Sequence, residues 1–86
     1  MTDATMLTML KIDLGITAGK YDQRLAQYLE AAKKEIEREG VTLTSSLEDS
    51  NLVIQYAGWL WRKRDTGEGM PRKVRWQINN RLFKKG

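Results

Sequence analysis

The chain has 86 residues, enough for one small domain and too few for an α/β barrel or a doubly wound sheet. It contains no cysteine or histidine, which excludes disulfides, thiol nucleophiles, Ser-His triads and zinc sites built from these residues. No apolar run approaches the roughly 18 residues of a membrane span, and the N-terminus lacks the pattern of a signal peptide. We therefore expect one cytoplasmically made domain over residues 1–86, with no cofactor and no membrane partner.

The net charge of +4 conceals an uneven distribution along the chain. Residues 1–50 contain six Lys and Arg against nine Asp and Glu, a net charge of −3. Residues 51–86 contain nine Lys and Arg against two Asp and Glu, a net charge of +7. This asymmetry favours head-to-tail self-association, or a basic end that faces phosphate or an acidic partner, and does not choose between them.

Glycines and the one proline divide the chain into four predicted helices, so we expect an all-α bundle. In the first, Thr5 is a candidate N-cap and Gly15 a candidate C-terminal glycine after Leu14. The second is predicted from Asp22, as N-cap, to about Glu39. Its apolar residues recur at spacings of four, three and four, at Leu25, Leu29, Ala32 and Ile36.

The third predicted helix begins within residues 46–51, where two overlapping patterns resemble capping boxes, and ends near Arg64. It is apolar on nearly all sides. Trp59 and Trp61 project about 200° apart around its axis, so they cannot share one buried stripe. A helix of this kind is buried on more than one side. Two explanations stay open: it is the central helix of the domain, or part of its surface belongs to another subunit.

A short link at Asp65–Gly69 is predicted to lead into the fourth helix, which has Pro71 in its first turn and runs to about Phe83. Its residues separate into three faces when projected at about 100° per residue. The core stripe is Val74, Ile78 and Leu82; the polar, mostly basic arc is Lys73, Gln77, Asn80, Arg81 and Lys84; the aromatic flank is Trp76 and Phe83.

The chemistry available for catalysis is sparse, because the carboxylates are scattered without the paired spacing of a glycosidase or metal site. We expect no enzyme activity. The basic residues of the second half are interleaved with aromatics, a pattern that holds phosphate and stacks on bases. The same pattern also arises when Lys and Arg stems cover apolar surface. A small DNA-binding or regulatory protein is therefore one candidate, although the start of the predicted fourth helix, Met70-Pro71-Arg72-Lys73, is better suited to phosphate than to base edges.

Segments along nearly the whole chain resemble those of the head–tail connector, or adaptor, proteins of tailed bacteriophages. The distinctive part combines Tyr-Ala-x-x-Leu-x-Arg-Lys-Arg at residues 56–64 with Met-Pro at 70–71 and Asn-x-Arg-Leu at 79–82. The other matching segments are Leu10–Ile16, Tyr21-Asp22 with Leu25, Tyr28 and Leu29, Ala31-Ala32, and Asp49 with Leu52–Ile54.

This resemblance implies a structural protein of the virion neck, assembled in the bacterial cytoplasm without enzyme activity or cofactor. Such proteins form a ring, usually twelve-fold, beneath the portal, extend the channel through which DNA passes and carry the stopper or tail-completion protein. By similarity, a subunit or portal interface would include Trp59, Trp61, Arg62, Arg64, Trp76 and Phe83. The basic arc of Lys73, Gln77, Asn80, Arg81 and Lys84 would face the portal or the channel.

Overall fold

Helices make up most of residues 3–84, the part of the chain that the computed structural model describes. The elements are α1 (Asp3–Leu14), a 3₁₀ turn (Gly19–Tyr21), α2 (Asp22–Arg38), α3 (Leu47–Thr66) and α4 (Arg72–Lys84). Within this range no residue lies in a β-strand, and residues 41–44 form a loop. The predicted all-α bundle of about four helices is confirmed.

Several predicted helix boundaries are wrong by a few residues. Helix α1 already includes Asp3, so Thr5 lies inside the helix and does not cap it. Asp22 is the first residue of α2 rather than its N-cap. Its carboxylate oxygen Oδ1 forms an ion pair with Lys11 Nζ, 2.7 Å away. The link predicted at Asp65–Gly69 begins two residues later and covers 67–71.

Gly67 determines where α3 ends, and it therefore explains why the link begins two residues later than predicted. Gly67 has a φ of +67° and donates its N–H to the Lys63 carbonyl at 2.7 Å. This left-handed conformation closes a helix and is easily adopted only by glycine, so the helix continues past Arg64 until glycine is available. The same rule ends α1 as predicted, where Gly15 has a φ of +71° and the Ile16 N–H bonds the Lys11 carbonyl at 2.9 Å.

Helix α3 lies at the centre of the bundle and contacts each of the other three helices. Its buried apolar side chains are Leu52, Val53, Ile54, Tyr56, Ala57 and Trp59. Helix α2 contributes its predicted stripe of Leu25, Leu29, Ala32 and Ile36 to the same core. Of the two explanations for the apolar third helix, the structure supports the central helix, since one copy of the chain already buries these residues.

Tyr56 is a buried titratable residue of the apolar core. Burial raises the pKa of its phenol above the usual 10.0, and the carboxylates of Glu35 and Glu39 act in the same direction. Its ring packs edge-to-face against Trp59, with the ring centroids 5.3 Å apart. The phenol therefore stays neutral in the folded chain at physiological pH.

We predict that Gly40→Ala destabilises the chain by about 1–3 kcal/mol. Gly40 follows α2 with a φ of +104°, and a Cβ there would lie 3.3 Å from Leu82 Cδ2. Both backbone strain and the close approach of α4 oppose a side chain. Gly69→Ala is the control, because a Cβ at that position meets nothing within 4 Å and no left-handed φ is required. Chemical denaturation measures both variants, and equal free energies of unfolding would contradict the prediction.

Candidate interaction surface

Helix α4 is attached to the bundle by a narrow stripe of apolar residues. Val74 and Ile78 are 3% and 0% exposed, and Leu82 is half-buried beside Gly40. These are the residues of the predicted core stripe. The remaining attachment of α4 is electrostatic, and one part of it is an exposed ion pair between Arg75 and Glu39 at 3.1 Å.

The other electrostatic attachment is centred on the carboxylate of Asp49, which is 1% exposed at the start of α3. One oxygen accepts hydrogen bonds from the Thr44 N–H at 2.7 Å and the Thr44 hydroxyl at 2.8 Å. The other forms an ion pair with the guanidinium of Arg81. A second nitrogen of that guanidinium donates to the Thr42 carbonyl at 2.9 Å. This Asp49 network joins α3, the loop at 41–46 and α4.

The Asp49 network gives Arg81 a role inside the domain. The predicted basic arc contains four residues whose side chains are described, and only Lys73 among them is exposed. Gln77 and Asn80 are half-buried, as is Arg81, and the side chain of Lys84 lies outside the described residues. Because the arc borders the buried stripe along one edge, the long Arg81 side chain reaches inward to Asp49. The arc is therefore not a continuous basic surface, and its portal- or channel-facing role stays a prediction.

The aromatic flank of α4 is exposed, with Trp76 64% and Phe83 86% accessible to solvent. The two residues are seven positions apart, so they project within about 20° of one another. Both point away from the side of α4 that carries Val74 and Ile78. Arg72 and Asn79, also exposed, project into the same strip. We call the strip formed by Arg72, Trp76, Asn79 and Phe83 the outer face of α4.

Trp59, one of the predicted interface residues, belongs to the core. It is 9% exposed, and its indole N–H donates to the Glu68 carbonyl at 3.1 Å. Arg62 forms an ion pair with the Glu68 carboxylate at 3.3 Å. Both contacts hold the link at 67–71 against the end of α3.

Trp61 lies in an aromatic cluster at the surface of the same copy. Its ring packs edge-to-face against Tyr21 and Tyr28, with centroids 5.6 and 5.7 Å away. The Arg64 guanidinium lies 3.9 Å from the Trp61 ring centroid, in a cation–π contact. Trp61 and Arg64 thus have partners within the chain, whereas the side chains of Trp76 and Phe83 are largely exposed to solvent.

No metal-binding group of three or more acidic residues occurs among the described residues. Nor is any helix in this range long and apolar enough to cross a membrane. Comparison of the chain with protein-family models, with curated proteins and with solved structures found no match. Aromatic residues and Arg are enriched at protein interfaces, and the outer face of α4 exposes both.

Sequence reasoning missed the Asp49 network. Asp49 follows Ser46 by three residues, which is the spacing of a capping box, and the Ser46 hydroxyl does accept from the Asp49 N–H at 3.2 Å. The carboxylate, however, bonds Thr44 and an arginine 32 positions away. A long-range pair of this kind leaves no periodic signal in the sequence.

We predict that Arg81→Ala destabilises the chain by about 3 kcal/mol, because it leaves the buried Asp49 carboxylate without its cation. Lys73→Ala, which removes an exposed cation from the same helix, is expected to change stability by less than about 0.5 kcal/mol. Urea denaturation followed by circular dichroism compares the two variants. A free energy of unfolding for Arg81→Ala equal to that of the wild-type chain would contradict the structural role given to Asp49.

Proposed function

We propose that the chain is a head–tail connector of a tailed bacteriophage, a structural protein that assembles as a ring beneath the portal. The proposal starts from the resemblance described above, which runs through the chain from Leu10 to Leu82. In this proposal the protein is located in the virion neck and bridges the portal to the stopper or tail-completion protein. DNA passes through its channel without sequence-specific binding.

The observation that carries the proposal is the exposure of Trp76 and Phe83 on the outer face of α4. Large aromatic side chains dominate the energetics of protein interfaces because each buries a large apolar area. Single exposed apolar residues are ordinary on a protein surface, but here two aromatics share one helix face. In an assembly this face is buried against a neighbouring molecule, which removes both aromatic side chains from water.

The charge distribution supports assembly of the head-to-tail kind. The first half of the sequence has a net charge of −3 and the second half +7, so a contact between the acidic half of one copy and the basic half of the next is electrostatically favourable. Contacts between unlike surfaces form rings when the rotation between copies closes. We place the interface on Trp76 and Phe83 rather than on Trp59, whose indole already packs inside the domain.

DNA binding through the second half is the competing function, and the ion pairs count against it. Arg62, Arg75 and Arg81 each pair with a carboxylate of the same chain, so three of its nine cations are already partly neutralised. Duplex binding that is sequence-dependent at physiological salt, and that weakens steeply as salt rises, would favour this function over the connector.

The connector proposal predicts that the purified chain adds a ring of density to portal particles of the same phage, observed by electron microscopy. Trp76→Ala with Phe83→Ala is expected to weaken this addition by at least about tenfold, because it removes two interface aromatics. Ile12→Ala is the control, since it truncates an exposed large apolar residue, 71% accessible, on a different helix, α1.

Circular dichroism of the double variant should match that of the wild-type chain, because neither aromatic is buried. A wild-type chain that never joins portal particles would contradict the proposal. So would a double variant that joins them as well as the wild-type chain does, because the carrying observation would then have no role in assembly.

A further inference from the structure

Several large apolar residues in the described part of the chain are exposed beside a charged residue. In the acidic half, Ile12 and Leu47 are 71% and 62% exposed, and each is followed directly by an exposed carboxylate, Asp13 or Glu48. In the basic half, Trp76 and Phe83 share the outer face of α4 with Arg72. Exposed apolar residues therefore lie beside negative charge in the first half of the chain and beside positive charge in the second half.

The positive side has charges that its own copy leaves uncompensated. Helix α4 contains five Lys and Arg and no Asp or Glu. Arg75 and Arg81 pair with carboxylates, but Arg72 makes no ion pair with any described residue. Arg72 also lies in the first turn of α4, where the helix dipole disfavours a cation. A carboxylate from outside the copy would relieve both effects at once.

On the negative side, Glu48 is an exposed carboxylate that directly follows an exposed apolar residue. Asp13, the other carboxylate that follows an exposed apolar residue, lines a cavity of about 160 Å³ together with Arg62 and Lys73 of its own copy. Glu48 forms no ion pair within the described part of the chain, and Leu47 beside it is exposed at the start of α3. We call Leu47 and Glu48 the α3 patch.

We propose that the outer face of α4 in one copy docks on the α3 patch of a second copy. Trp76 and Phe83 would cover Leu47, and Arg72 would face Glu48. The contact joins two different surfaces, so each copy keeps one of each free for the next neighbour, and the contact repeats around a ring. This inference rests on the proposed function, for which it names the surface that receives α4.

Mixing two variants tests this contact. The face variant is Arg72→Ala with Trp76→Ala, and the patch variant is Leu47→Ser with Glu48→Lys. Sedimentation velocity over a wide range of concentration should show that the wild-type chain self-associates and that each variant alone does so at least about tenfold more weakly. An equimolar mixture should regain a dimer and nothing larger, because the intact patch of one variant accepts the intact face of the other.

Ile12→Ser with Asp13→Lys is the matched control, since it makes the same chemical change at the other exposed apolar–acidic pair. It should associate like the wild-type chain. Circular dichroism checks that all variants are folded. A patch variant that associates like the wild-type chain, a mixture without dimer, or a wild-type chain that is monomeric at every concentration would each overturn the inference.

Binding to portal particles separates this inference from the proposed function. If the wild-type chain joins portal particles and the patch variant forms the same ring there, the inference fails and the connector function stands. If the mixed variants form their dimer but the wild-type chain never joins portal particles, the contact stands and the connector function fails.

Discussion

The position of the last helix depends on one buried carboxylate. Asp49 is almost fully removed from water, and a buried charge is strongly unfavourable unless a partner of opposite charge and hydrogen-bond donors surround it. Thr44 supplies two donors and Arg81 supplies the cation. Because Arg81 belongs to α4, satisfying Asp49 also fixes where α4 lies on the bundle and how it is rotated about its axis.

That rotation determines what the protein presents to its surroundings. With Arg81 turned toward Asp49 and with Val74 and Ile78 in the core, the opposite side of α4 must face outward. Trp76 and Phe83 lie on this side, so a contact buried inside the domain exposes two aromatics outside it. The central helix α3 buries its apolar residues within the same copy, so its composition is no argument for assembly. The outer face of α4 carries that argument instead.

The sequence predicts the helices well because the relevant signals are local. Leu25, Leu29, Ala32 and Ile36 recur at helical spacing and are all buried, and glycines end helices where a left-handed φ is needed. The predicted end of α3 near Arg64 is too early, because charged residues continue a helix as readily as they end one and Gly67 is the residue that stops it.

The candidate site was harder to predict, because its geometry depends on contacts between distant residues. Helical projection separates Trp76 and Phe83 from the core stripe, as the structure has them. Projection does not tell which edge of the polar arc borders the bundle, so it does not distinguish the inward-turned Arg81 from an exposed cation such as Lys73. Projection also separates Trp59 from Trp61 without telling which is buried; the hydrogen bond from Trp59 to the Glu68 carbonyl depends on the fold of the link.

Oxidative footprinting with mass spectrometry tests most directly whether the outer face of α4 is an assembly surface. Hydroxyl radicals modify aromatic side chains in proportion to their exposure, and the buried Trp59 serves as an internal reference. The account predicts that Trp76 and Phe83 are modified readily in the free chain and are protected in the assembled particle. Equal modification of these two residues before and after assembly would contradict it.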